Sequence, residues 1–289
     1  MTGACIAARA CSALPVAPRT RLAFYKQLAR LTAPRLDEAL AMLKARRLFL
    51  VSSTGRTGTT WLATLLNRVE DCHVVHEPVP LEQCAHVQAL QDQDSVREYI
   101  DDFRIREVAW RLKDDACNTY GEVNGALRRH VEYLREVLPH LHVVHLIRDP
   151  RDVIRSMLNR AALAANDKVY AELEYPANIS HAAWIDMDRF AKLCWLWSED
   201  NAYLRLHADG RAYFEEITQN FDSFRAQILE PLGLRCTKAM WAEHRRVGRN
   251  ETVSRDDQYE AWTQQQNTTF EQFVGPELEH YPHYARFQS

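Results

Sequence analysis

The chain has 289 residues, 46 % of them apolar and 26 % charged, with a formal net charge of −3. That length can bury a large core within one domain carrying insertions. The near-neutral charge removes any global argument for nucleic-acid binding, so an anion site must be a local gathering of arginine and lysine. No apolar run approaches the ~18 residues of a membrane span. Seven scattered cysteines with no C-x-x-C pair point to a reduced, cytoplasmic protein rather than a zinc or disulfide framework.

The first 36 residues hold no Asp or Glu but carry Arg9, Arg19, Arg21, Lys26, Arg30 and Arg35. Such a segment is either a targeting or surface-binding arm or a basic stretch running into a helix. We set residues 1–45 apart as a basic N-terminal segment and helix, with an α/β domain at 46–289. Leucines at 22, 28, 31, 36, 40 and 43 keep helical spacing across a break at Pro34. "LFLV" at 48–51 suits a buried parallel strand. Trp61, Leu62, Leu65, Leu66 and Val69 then return to helical spacing, so residues 52–58 join a strand to a helix.

"CHVVH" at 72–76 is a second strand, stopped by Glu77-Pro78. Polar residues 82–107 read as helices, "VAWRLK" at 108–113 as a third strand, and 122–138 as a helix. "LHVVHLI" at 141–147 is a fourth strand, and "DPRDVIRSML" opens a helix. Residues 161–186 are irregular, and 187–207 form a helix whose Trp195 and Trp197, like Trp184, belong to the core. "RAYFEEI" is expected as an edge strand, 221–232 as a helix, and the polar tail ends in an aromatic "EHYPHYARF". Strands alternating with helices predict a single α/β domain: a P-loop-like parallel β-sheet with helices on both faces.

Only nine glycines occur in the chain, and Gly55 and Gly58 fall together in "VSSTGRTGTTWLATLL". Backbone N–H groups of a strand–loop–helix turn converge on one spot, where the helix N-terminus adds partial positive charge. The nucleotide-triphosphate pattern G-x-x-x-x-G-K-[ST] fails here, because aligning on Gly58 puts Thr59 at the lysine. That argues against γ-phosphate and magnesium chemistry, and no metal is expected. The basic residue, Arg56, lies inside the loop instead. In "HVVHLIRDPRDVIRSML", Arg148 can hold a phosphate bidentately while Ser156 donates from the following helix. Asp149 is a plausible N-cap there with Pro150 at the first helical position.

These two stretches resemble the nucleotide motifs of the sulfotransferases that use 3′-phosphoadenosine 5′-phosphosulfate (PAPS). Arg56, Thr57, Gly58, Thr59, Thr60 and Trp61 follow the order of that family's 5′-phosphosulfate loop, and Arg148 and Ser156 have the spacing of its 3′-phosphate motif. The resemblance implies direct in-line transfer of a sulfuryl group from PAPS to a hydroxyl or amine, without metal or covalent intermediate. Arg at position 56 and Glu77-Pro78 are similar to the carbohydrate branch, which implies a carbohydrate acceptor with Glu77 as general base and Arg56 as the stabilising cation. His76 is the competing base, with a pKa nearer neutrality.

Cytosolic members have Lys-x-His after the third strand; this chain has Lys113-Asp114-Asp115, which leaves Lys113 as either a sulfonate contact or part of a solvated turn. Their late Gly-x-x-Gly-x-x-Lys loop is also absent. Arg245, Arg246 and Arg249 of "HRRVGRN" either take its place over the nucleotide or form an ordinary basic turn. Trp61 either stacks on adenine or packs the core. Residues 161–186 are expected to cover the acceptor, as long structureless segments often do. Two alternatives are a P-loop phosphoryl transferase and a non-catalytic nucleotide-binding module.

Overall fold

The computed structural model describes residues 18–160, 162–170, 173–246 and 262–285. Five parallel strands, β1 (Arg47–Ser52), β2 (Cys72–His76), β3 (Thr119–Val123), β4 (Leu141–Ile147) and β5 (Gly210–Tyr213), form one sheet in the order β2-β3-β1-β4-β5. Alternation along the central strand divides the core. Leu48 and Leu50 face one side with Leu141 and Val143, under helices α1 (Pro18–Thr32) and α2 (Leu36–Lys44). Phe49 and Val51 face the other side with Val144 and Leu146, under α3 (Thr59–Leu66). The central strands β1 and β4, buried on both faces, therefore read as apolar runs rather than alternating ones.

"VAWRLK" is a correction: it lies in a helix, α4 (Ile105–Leu112), and the third strand is "TYGEV". The stretch carries both periods. Val108, Trp110 and Leu112 alternate, but Ile105, Val108, Ala109 and Leu112 form one buried helical face. Arg104 and Glu107, and Glu107 and Arg111, pair at helical spacing. Residues 122–138 also differ from expectation: β3 runs to Val123, and helix α5 begins only at Val131 (Val131–Val137). "RAYFEEI" divides, with β5 ending at Tyr213 and a short helix following it.

Helix α6 (Pro150–Leu158) leaves β4 with Asp149 as N-cap, whose carboxylate accepts from the Arg151 N–H, and Pro150 at the first position. α7 (Phe214–Gln219) follows β5. The long helix at Arg189–His207 buries Trp195 and Trp197 as expected, and Trp184 is buried as well. Residues 161–186 are less irregular than their sequence. His181–Asp186 is helical, and Leu173 and Trp184 seat the segment in an apolar cluster with Val87, Leu90 and Leu196.

Chain order places the site. β1 hands on toward β2, whereas its neighbour β4 hands on toward β5. Ligands of open parallel sheets bind outside the carboxyl ends at such a reversal. The residues after β1 and β4 are the two anion motifs.

Candidate active site

The loop after β1 is held in an uncommon shape. Gly55, Arg56 and Gly58 have φ of 84°, 59° and 77°, a left-handed backbone that costs a non-glycine residue about 1–2 kcal/mol. Gly58 cannot be replaced, because the Phe214 ring occupies the place where a Cβ would stand. Ser53, Thr54 and Thr57 are buried, and the Thr57 hydroxyl has no hydrogen-bond partner. A buried hydroxyl without a partner calls for one. The first-turn N–H groups of α3, beginning at Thr59, lack intrahelical acceptors by geometry. The loop thus presents donors to an anion. Thr60 is exposed at its rim.

The two motifs, 92–100 residues apart, are in contact. Arg56 Nε donates to Ser156 Oγ at 2.8 Å, and Arg148 Nη1 donates to the Arg56 carbonyl at 3.0 Å. Arg148 also donates to Asp152 at 3.1 Å, stands 3.9 Å from Glu215, and has the Phe214 ring centroid 5.2 Å from its guanidinium. Glu215 in turn accepts from the Asp149 N–H at 3.3 Å and the Tyr284 hydroxyl at 2.6 Å, and burial raises its carboxyl. Partial burial lowers the Arg56 guanidinium, as do the like charges of Arg160 and then Arg148, while Glu77 opposes them. Arg56 therefore lies among cations with one nearby carboxylate.

Glu77 ends β2 with φ 40°. Its side chain is exposed, and Oε1 lies 3.6 Å from where a Cβ on Gly125 would be. The same point is 3.0 Å from the Ser53 carbonyl and 3.5 Å from the Gly55 nitrogen, so Gly125 lets Glu77 and the loop approach each other closely. His76, the competing base, also reaches the loop: its Nε2 lies 2.8 Å from Thr59 Oγ1.

Lys113 is a correction. It caps the C-terminus of α4 and is exposed, and Arg46, just before β1, donates to the neighbouring Leu112 and Asp115 carbonyls, which puts it by the amino ends of the strands and away from the loop. Trp61 is half-buried among rings, with Phe214, Phe224 and His244 at centroid distances of 6.5, 6.4 and 5.5 Å. Arg245 reaches the Gln219 carbonyl at 3.5 Å. Arg249 lies outside the described residues.

A family model described as the sulfotransferase family matches residues 49–238, a span holding both motifs and Glu77. The chain belongs to the sulfotransferase family. Among solved structures it is similar to the sulfotransferase STF1 from Mycobacterium tuberculosis, at 14 % identity over 88 % of this chain and 84 % of that one, with a TM-score of 0.54. It is also similar to STF9 from Mycobacterium avium, at 12 % identity over 94 % and 88 %, with a TM-score of 0.52. Both likenesses show the sulfotransferase fold. No curated protein matches.

In this sulfotransferase a buried polar network lies behind the loop. Asn124 donates to Glu82 at 2.7 Å and to Glu122 at 2.9 Å. Its own N–H reaches the Val51 carbonyl at 2.9 Å, and its carbonyl accepts from Ser52 Oγ at 3.0 Å. Arg104 joins Glu82, Glu107 and Glu122, with contacts of 2.7, 2.6 and 2.6 Å. The network ties the end of β3 and the turn after Glu77 to β1. Sequence reasoning missed Arg160, Phe214, Glu215 and Tyr284 near the anion motifs. Position offers a signal for two of them, since Phe214 and Glu215 follow directly on β5. Tyr284 lay in the aromatic tail without a visible partner.

Proposed function

We propose that this sulfotransferase moves a sulfuryl group from PAPS to a hydroxyl of a carbohydrate acceptor, by direct in-line transfer. The observation that supports the reading best is the Arg56–Ser156 contact, which joins two anion sites at the switch point of one sheet. PAPS carries two anionic groups, a phosphosulfate and a 3′-phosphate, and in this reading each takes one site.

The 5′-phosphosulfate lies on the loop, against the N–H groups of α3 and the hydroxyls of Thr57, Thr59 and Thr60. The unpartnered Thr57 hydroxyl fits such a group. Arg148 and Ser156 take the 3′-phosphate, with Arg148 held in place by Asp152 and the Phe214 ring. Trp61 backs Phe214. The acceptor oxygen attacks sulfur, the bond from sulfur to the 5′-phosphate oxygen breaks, and the acceptor's proton passes to Glu77. Negative charge grows on the departing oxygen, which Arg56 stabilises. Adenosine 3′,5′-bisphosphate leaves. Residues 161–186 cover the acceptor.

The test is transfer from sulfur-labelled PAPS to a panel of sugar hydroxyls, with bisphosphate release measured in parallel. Arg148→Ala and Ser156→Ala should raise the KM for PAPS, the first by ~10–100-fold, on the scale of a lost charged hydrogen bond. Label transfer with PAPS affinity unchanged in both variants would remove the 3′-phosphate assignment.

A further inference from the structure

The two donor groups occupy Arg56 and Arg148 in the reading above, and a third arginine at the same edge is left over. Arg160 stands four residues after Ser156, where the chain turns out of α6 with its N–H on the Met157 carbonyl at 3.0 Å. It is exposed, and its positive charge bears on the Arg56 guanidinium more strongly than that of Arg148. Arg148 has Asp152 beside it, and Arg56 has Glu77 within electrostatic reach. Among the described residues no ion pair holds Arg160.

Its backbone is fixed from the far side. Arg189 donates to the carbonyls of Met157, Leu158, Arg160 and Ala162 at 3.1, 3.3, 2.5 and 2.9 Å. Arg189 is the first residue of the long helix that follows 161–186. One guanidinium therefore closes the neck of that segment, joining its first residues to the residue after its last helix, in the manner of an Ω-loop whose ends are close. Arg160 sits at this neck, four residues after Ser156, whose hydroxyl accepts from Arg56.

Resting on the proposed function, we propose that Arg160 selects an acidic acceptor: a sugar whose carboxylate or sulfate lies beside the hydroxyl that receives the sulfuryl group. An acceptor entering beneath 161–186 meets Arg160 on its way to Glu77. Its anion pairs with the spare guanidinium, which sets the hydroxyl against Glu77 and offsets the repulsion between Arg160 and Arg56. A neutral sugar lacks that anchor.

The experiment compares 4-nitrophenyl β-D-glucuronide with its methyl ester, which has the same hydroxyls and no charge. The wild type should show a lower KM for the acid than for the ester. Arg160→Ala should raise the KM for the acid by about tenfold, and Arg160→Lys should restore part of the preference. Affinity for adenosine 3′,5′-bisphosphate, and its margin over adenosine 5′-monophosphate, should stay within twofold in both variants. Equal use of acid and ester by the wild type, or transfer to neither, overturns the proposal. So does an Arg160→Ala variant that loses the margin between bisphosphate and monophosphate, since Arg160 then serves the donor's 3′-phosphate. A wild type that fails to bind the bisphosphate contradicts the donor reading instead, and so is told apart from failure of this inference.

Discussion

Two groups of arginines in this molecule are built on opposite terms. Behind the sheet, Arg104 is buried and surrounded by Glu82, Glu107 and Glu122, each within hydrogen-bond distance. Carboxylates outnumber the cations there even with Arg111 counted, and burial raises Glu82 while Glu122 adds to the effect against Arg104. At the carboxyl edge, Arg148 keeps Asp152 at 3.1 Å and Glu215 at 3.9 Å, whereas Arg160 has no ion pair among the described residues, and both add like charge against Arg56. A buried charge must be paired within the chain, because water cannot reach it. A binding charge must be left short of partners, so that a ligand can supply them. The difference separates arginines that hold the fold from arginines proposed to hold a substrate.

That contrast breaks most sharply at the base. Glu77→Gln should lower kcat by ~10²–10⁴, the range for a lost general base. Bisphosphate affinity, measured by calorimetry, should hardly change. An unaltered kcat removes Glu77 from the mechanism.

Arg104→Ala acts on the other group and should show in stability rather than in substrate recognition. Removing one partner of a buried ion pair costs about 3–5 kcal/mol, and here Glu82 and Glu122 lose theirs at once while Glu107 keeps Arg111. The urea midpoint reports it. A variant as stable as the wild type means that the network is not held by its ion pairs.

Arg56→Ala should do the reverse. Turnover should fall by ~10²–10³, as for one lost charge-stabilising donor. The melting temperature of the ligand-free protein should hold or rise, because repulsion from Arg160 and Arg148 is relieved. A large loss of stability places Arg56 with Arg104 among the structural arginines.

The smallest effect is one of pH. Burial pushes the Asp200 carboxyl up, but Arg128 and Arg129, with His86, outweigh it and hold it down at about 2. A depressed carboxyl contributes stability that is complete above its unfolded value near 4 and is lost as pH falls through 2. Asp200→Asn should therefore flatten the fall in melting temperature between pH 4 and pH 2, while lowering stability at pH 7. Parallel profiles for the two proteins contradict the assignment.

What the sequence shows of this follows from the range of each interaction. β1 and β4 are legible because strands buried on both faces are apolar runs, and β2 because its valines stop at Glu77-Pro78. β3 is not, because Glu122 reads as a surface residue until Arg104, 18 residues earlier, is brought beside it. The same Arg104 lies four residues before the stretch misread as a strand. At the site, Arg56, Gly58, Arg148 and Ser156 are legible because each motif is local, with its glycines or its cap within a few positions. Arg160, Glu215 and Tyr284 act through contacts across 66 residues or more, or through charge on a residue from another loop. No window of sequence contains those. Lys113 shows the converse error, since its expected place depended on a strand that is a helix.

The most direct test of the central claim, that the loop and the Arg148–Ser156 pair together hold PAPS, is a thermal-shift titration with adenosine 3′,5′-bisphosphate, beside adenosine 5′-monophosphate and ATP with magnesium. A ligand at ~100 times its dissociation constant stabilises the fold by ~2.7 kcal/mol. The account predicts a shift largest for the bisphosphate and clearly smaller for the monophosphate, because only the former reaches Arg148 and Ser156. Equal shifts for the two, or a preference for ATP with magnesium, contradict it.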